Sequence, residues 1–159
     1  MRQPEFHLAV VMQRRLIKNR WQSEVWGPVA VIADTDAQKE PHQIVELDGV
    51  ERWLFHGLNL TLRREEAEGY YLNISTRQPR VFVQWQIDDD RAVPQQITAS
   101  YNDACTWMDA GEQVDSVAMP PDMYDVVSAF ARQHYRPEPK KRIRPRSFRS
   151  KAQGPRARG

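Results

Sequence analysis

Cysteine is almost missing from this chain. Cys105 stands alone among 159 residues, which excludes a disulfide framework. Long apolar runs are missing too: nothing approaches the roughly 20 residues a membrane span needs. The run near the start, Leu8 to Met12, is shorter than the roughly 7–15 residues of a secretory signal core and continues into Arg14 and Arg15. A cytoplasmic protein is the expectation. Glycine is sparse and scattered, at positions 27, 49, 57, 69, 111, 154 and 159. No two are close enough to build the Gly-rich strand-to-helix turn through which a backbone approaches nucleotide phosphates. His7, His42, His56, His134 and Cys105 are never paired at ligand spacing, so no zinc site is expected. Asp88-Asp89-Asp90 lacks the alternating oxygen ligands and central glycine of a calcium loop and reads as a solvated turn. A serine nucleophile elbow is absent, and Cys105 reads as a space-filling side chain beside Trp107. The residues therefore predict no catalytic group, no metal and no cofactor.

Charge is present, and it is unevenly placed. Up to Arg136 the chain carries 14 basic and 20 acidic residues, a net of −6; from Pro137 onward it carries 9 basic and 1 acidic, a net of +8. Pro137, Pro139, Pro145 and Pro155 forbid a continuous helix in the second part, and Phe148 is its one large apolar side chain after Ile143. Residues 5–136 are thus expected to form a single domain, and residues 137–159 a flexible Pro/Arg/Lys-rich tail.

Most of the body reads as strands. Apolar positions alternate over Leu8–Leu16, Glu24–Ala33, Gln43–Leu47, Arg52–Leu62, Tyr70–Ser75, Arg80–Ile87, Gln95–Ala99 and Val114–Met119. Gly27-Pro28 suggests a bulge or an edge, and Asp48-Gly49 a hairpin turn. Val25, Val29 and Val31 are expected on one face of their strand, and Leu54, Leu58, Leu60 and Leu62 on one face of theirs, opposite Trp53, Phe55 and Thr61. Tyr70–Ser75 is expected to pair with Arg80–Ile87 through Thr76-Arg77-Gln78-Pro79. Helical spacing appears at Tyr101–Ala110, capped by Ser100 and stopped by Gly111, and again from Asp122 to about His134, where Met123, Val126, Val127, Phe130 and Ala131 form a stripe. The expected fold is α+β: a curved antiparallel sheet or partial β-barrel of six to eight strands closed by two C-terminal helices. Leu54, Leu58, Leu60, Val81, Val83 and Trp85 should meet Trp107 and Phe130 in one core.

Arg14 to Trp26 is the unusual stretch, with two tryptophans among long polar side chains. Aromatic and arginine side chains dominate binding hot spots, so Arg14, Arg15, Arg20, Trp21, Glu24 and Trp26 are the candidate interaction residues. The competing reading has the tryptophans covering the open end of a sheet, with Arg15, Arg20 and Glu24 paired at its rim. Asn73 joins the candidates as a polar group on an otherwise apolar strand. In the tail, Lys140, Lys141, Arg142, Arg144 and Arg146 are candidates for docking a partner or for weak, salt-sensitive polyanion binding.

Five segments carry a family resemblance: Asn19–Trp26, Glu66–Asn73, Pro79–Val83, Met108–Asp115 and His134–Lys141. They resemble a proteobacterial family catalogued as domain of unknown function 3305, over about Val10 to Phe148. Its members commonly lie beside genes for molybdenum-dependent formate dehydrogenases and their assembly factors. Some carry a label as molybdopterin-guanine dinucleotide biosynthesis proteins. The known guanylyl-transfer enzymes need an N-terminal Gly-rich loop, whereas the first glycine here is Gly27, followed by Pro28. The resemblance therefore implies a non-catalytic accessory protein that assists a molybdoenzyme such as formate dehydrogenase, partnered by an enzyme subunit or an assembly factor. Two alternatives stand beside it. One is a cofactor-biosynthesis enzyme with a site assembled from groups such as Arg14, Arg20, Glu24 and Asn73; the other is a polyanion-binding module working through the tail.

Overall fold

The computed structural model describes residues 3–18 and 23–137. It contains seven strands among those residues, in two antiparallel sheets, and three helices. The first sheet holds β1 (Glu5–Leu16), β2 (Glu24–Ala33), β3 (His42–Leu47) and β4 (Val50–Thr61) in the order β2-β1-β4-β3. The second holds β5 (Arg80–Asp88), β6 (Arg91–Thr98) and β7 (Gln113–Ala118) in the order β6-β5-β7. The single curved sheet or partial barrel is thus corrected to two separate sheets and no closed barrel. The helices are α1 (Ala67–Ile74), α2 (Tyr101–Asp109) and α3 (Pro121–His134).

Turn chemistry explains the two tight hairpins. Asp48 and Gly49 both take positive φ, 45° and 80°, between the paired residues Leu47 and Val50. A two-residue loop with both φ positive matches the right-handed twist of the strands it joins. Asp89 and Asp90 do the same between Asp88 and Arg91, at 56° and 64°, without a glycine to relieve them.

Bulges decide which side chains face inward. The β1–β4 register slips between Leu8 and Val10, beside Gly57 at φ +81°. The extra residue reverses the alternation, so Phe55 enters the core with Leu58, Leu60 and Leu62, while Leu54 falls on the other side. This corrects the expected face of Leu54. A second slip, between Val11 and Met12 against β2, lies at the suspected Gly27-Pro28 irregularity. It leaves Val31 facing the core opposite Val10 and Val25 opposite Arg15 on the outer side, so those valines do not share a face. Val10, Met12, Phe55, Leu58 and Leu60 meet Val81, Val83, Trp85 and Val117 of the other sheet in one core. Phe130 joins them, but Trp107 is only half-buried and lies outside that cluster.

Helix α1 is the main departure. Tyr70–Ser75 was expected as a strand because aromatic and branched residues favour pleated surfaces. Instead Ala67, Tyr70, Asn73 and Ile74 are buried at helical spacing. Tertiary contacts outweigh the local preference: the Tyr70 ring meets Phe130 edge-on at 5.9 Å, and its hydroxyl accepts from the Arg63 N–H at 2.9 Å. Gly69 lets α1 approach the start of α2, because a Cβ there would collide with the Ser100 hydroxyl. Ser100, fully buried, accepts from the Asp103 N–H at 3.1 Å and donates to Glu66 at 2.7 Å. Helix α1 packs on α3 near the start of β1, where Pro4 and Phe130 line one surface depression. The far end of β1, with the β5–β6 turn, is left to form the site.

Candidate functional site

Arg14 lies on the core-side face of β1 near its end, with Trp26 opposite it on β2 and Glu51 opposite it on β4. Side chains two apart on a strand share a face, so Glu24 and Trp26 stand to one side of Arg14 and Glu51 and Trp53 to the other. The Arg14 guanidinium donates through Nε to Glu24 at 2.7 Å and through a terminal nitrogen to Glu51 at 2.7 Å. Each carboxylate uses its second oxygen on an indole: Trp26 Nε1 donates to Glu24 at 3.0 Å, and Trp53 Nε1 to Glu51 at 3.2 Å. The result is a two-armed relay, Trp26–Glu24–Arg14–Glu51–Trp53, centred on the Arg14 guanidinium.

Its electrostatics follow from that geometry. The hydrogen bond to Glu24, with the charge of Glu51 added, holds the Arg14 guanidinium above its ordinary pKa against the cost of partial burial. The same bond, assisted by the Trp26 N–H, holds the Glu24 carboxyl below the usual range. Arg91, just after the β5–β6 turn, stacks its guanidinium 4.3 Å from the Trp53 ring centroid and 5.8 Å from that of Phe55. Arg91 Nε is enclosed without a hydrogen-bond partner among the described residues, so the ring face is its main contact.

Above the relay runs an open groove. One cleft of about 640 Å³ is lined by Arg14, Trp26, Trp53, Asp89, Asp90 and Arg91 among others. A second of about 690 Å³ extends it past Trp85 and Gln113, and the two share Glu24, Trp26 and Ile87. Ile87 is half exposed, and the rim carries the Asp89 and Asp90 carboxylates. Such a surface offers aromatic faces, one aliphatic ridge and negative charge. Those are the means of gripping a chain segment.

The predicted residues divide. Arg14, Glu24 and Trp26 come together in the groove, with Arg14 rather than Arg15 paired to Glu24. Arg15 lies exposed, opposite Val25 on the outer face. Asn73 is 2% exposed on α1, where its amide donates to the carbonyls of Arg80 at 2.8 Å and Ala99 at 2.9 Å and accepts from the Arg80 N–H at 2.9 Å. All three bonds hold the fold. Arg20, Trp21, Lys140, Lys141, Arg142, Arg144 and Arg146 lie outside the described residues. Glu51, Trp53, Asp89, Asp90 and Arg91 were not anticipated. A signal for two of them was present, since Glu24-Val25-Trp26 recurs as Glu51-Arg52-Trp53.

A family model described as a protein of unknown function, DUF3305, matches residues 7–144. The chain belongs to this family. No curated protein and no solved structure matches it. The DUF3305 match contains the whole relay and the groove rim, together with Lys140, Lys141, Arg142 and Arg144, and stops short of Arg146. No helix among the described residues of this DUF3305 chain is long and apolar enough to cross a membrane.

A second polar cluster lies on the outer face of the first sheet. His56 Nδ1 bonds Asp34 at 2.8 Å, the Gly57 N–H donates to the other Asp34 oxygen at 2.7 Å, and the His42 ring stacks on His56 at 5.3 Å. Burial opposes ionisation of Asp34, but His56 and the Gly57 and Asp36 N–H groups outweigh it and hold the carboxyl below the usual range. The cluster fastens the loop after β2 to the bulge at Gly57. Among the described residues no three or more His, Cys, Asp or Glu side chains are grouped to hold a metal ion.

Proposed function

We propose that this DUF3305 protein is a non-catalytic accessory protein of the cytoplasm that docks a protein client in the Trp26–Trp53 groove. The client is a molybdoenzyme such as formate dehydrogenase, or a factor in its assembly. The observation that supports docking is the relay itself. Its polar groups are committed to one another, which fixes the indoles in place and leaves ring faces, Ile87 and rim carboxylates as the contact surface. Indoles held in advance lose little rotamer freedom when a partner arrives. The choice of client rests on the gene neighbourhood that the family resemblance implies.

The test is genetic and biochemical. Formate dehydrogenase purified from a host strain lacking the protein should be deficient in molybdenum content or subunit composition and in activity. The wild-type gene should restore it and a Trp53→Ala variant should not. Normal enzyme from the deletion strain would end the proposal.

A further inference from the structure

Beyond the relay, the groove rim carries two more carboxylates, those of Asp89 and Asp90. Arg14 is shared between two carboxylates. Asp89 and Asp90 make no ion pair with any described residue. They also occupy two left-handed positions that Asn-Gly would fill with less strain, at φ 56° and 64°. Two carboxylates are therefore presented at the rim in a conformation that costs the turn some stability. The Trp53 face already holds one guanidinium, that of Arg91, so the surface suits arginine in both charge and shape.

We infer that the resident occupant of this groove is the chain's own segment Arg144-Pro145-Arg146-Ser147-Phe148-Arg149, docked within the same molecule, so that a client must displace it. The inference rests on the docking reading above and adds the chemistry of the ligand. Charge complementarity supports it: residues 138–159 hold nine basic side chains against Glu138. Arg144, Arg146 and Arg149 would meet the rim carboxylates, and Phe148, the only aromatic in those residues, would lie against Ile87 and Trp26.

Reach supports it as well. Gln133 and His134 at the end of α3 line a depression with Gln3 and Pro4, so the chain leaves the domain beside the start of β1. From Pro4 to Arg14 along β1 is about 33 Å at the usual strand rise. From His134 an extended chain reaches about 33–36 Å by Arg144 and about 50 Å by Arg149. Even fully extended, Lys140 to Arg142 would fall short of the groove, whereas Arg144 to Arg149 are within reach of it.

The test uses the full chain. Indole Nε1–H resonances of Trp26 and Trp53, assigned by single Trp→Phe variants, are recorded at about 50 mM and about 500 mM salt, because exposed charge pairs weaken as the screening length falls. In the wild type both resonances should move between the two salts. In R144S/R146S/R149S they should stay at the wild-type high-salt positions. D89N/D90G keeps a hairpin-competent turn and removes two charges; it should weaken docking by roughly fivefold. Superimposable low-salt indole resonances in the wild type and in R144S/R146S/R149S would overturn the inference. Shifts that grow with protein concentration would also overturn it, because they would place the segment in a second copy. Client binding, read separately with Trp53→Ala, keeps the two claims apart: a client that binds through Trp53 while the tail leaves the indoles unmoved refutes cis docking alone.

Discussion

Replacing Arg14 by Met tests whether Arg14 holds the relay together. The substitution keeps an unbranched stem over the core and removes both charge-assisted hydrogen bonds to Glu24 and Glu51. Such bonds contribute about 1.5–3 kcal/mol each when water is excluded. The Arg14 side chain is 26% exposed, so the lower figure applies and the pair is worth about 3 kcal/mol. Glu24 and Glu51 would also lose the guanidinium that lies between them, adding about 0.5–1 kcal/mol of mutual repulsion at the screening of a partly wet site. Urea unfolding followed by circular dichroism should show a deficit of about 3–4 kcal/mol at pH 7. The deficit has a pH signature. In the wild type the Arg14 bond holds the Glu24 carboxyl below its unfolded value of about 4.3, so the stability that bond supplies is complete above that value and is lost as pH falls through the depressed one. The deficit should therefore shrink as pH falls from about 5 to 3. A loss below about 1 kcal/mol at pH 7, or one that does not change with pH, would refute the relay.

Asn73→Ala strips partners from the Arg80 N–H and from the Arg80 and Ala99 carbonyls, and should cost about 3–5 kcal/mol in the same unfolding assay; a cost below about 1 kcal/mol would mean that water replaces the amide. Asp34 has a folded pKa below its unfolded value of about 3.9, so its stabilisation is complete above that value and is lost as pH falls through the depressed one. A urea-midpoint series from about pH 6 to 3 should accordingly fall less steeply for Asp34→Asn than for wild type. Asp90→Gly relieves a left-handed aspartate and should raise stability by about 1 kcal/mol, read as a higher urea midpoint.

Much of the strand pattern was legible because period-two alternation and turn residues are local. Asp48-Gly49 marked its hairpin, and Ser100 its helix start, by chemistry that acts within four residues. What stayed hidden depended on distance in the chain. The Gly57 bulge, which turns Phe55 inward, shows only once β1 is paired to β4. Helix α1 is specified by Phe130, Ser100 and Arg63 pressing on a segment whose own aromatics favour a strand. At the site, Arg14, Glu24 and Trp26 were found from their density in one stretch. The other half, Glu51, Trp53 and Arg91, arrives from β4 and β6, and only the repeated Glu-x-Trp tripeptide pointed to part of it. Asn73 was conspicuous for the same reason that it is structural: a buried amide is tolerated where it satisfies three backbone groups.

The most direct measurement is a titration of purified formate dehydrogenase into the full chain while the indole resonances of Trp26, Trp53 and Trp107 are recorded. A client in the groove should move the first two saturably and leave Trp107 in place, and Trp53→Ala should weaken the binding at least tenfold, as loss of an aromatic anchor does. Binding that moves Trp107 alone, binding untouched by Trp53→Ala, or no binding at all would contradict the account.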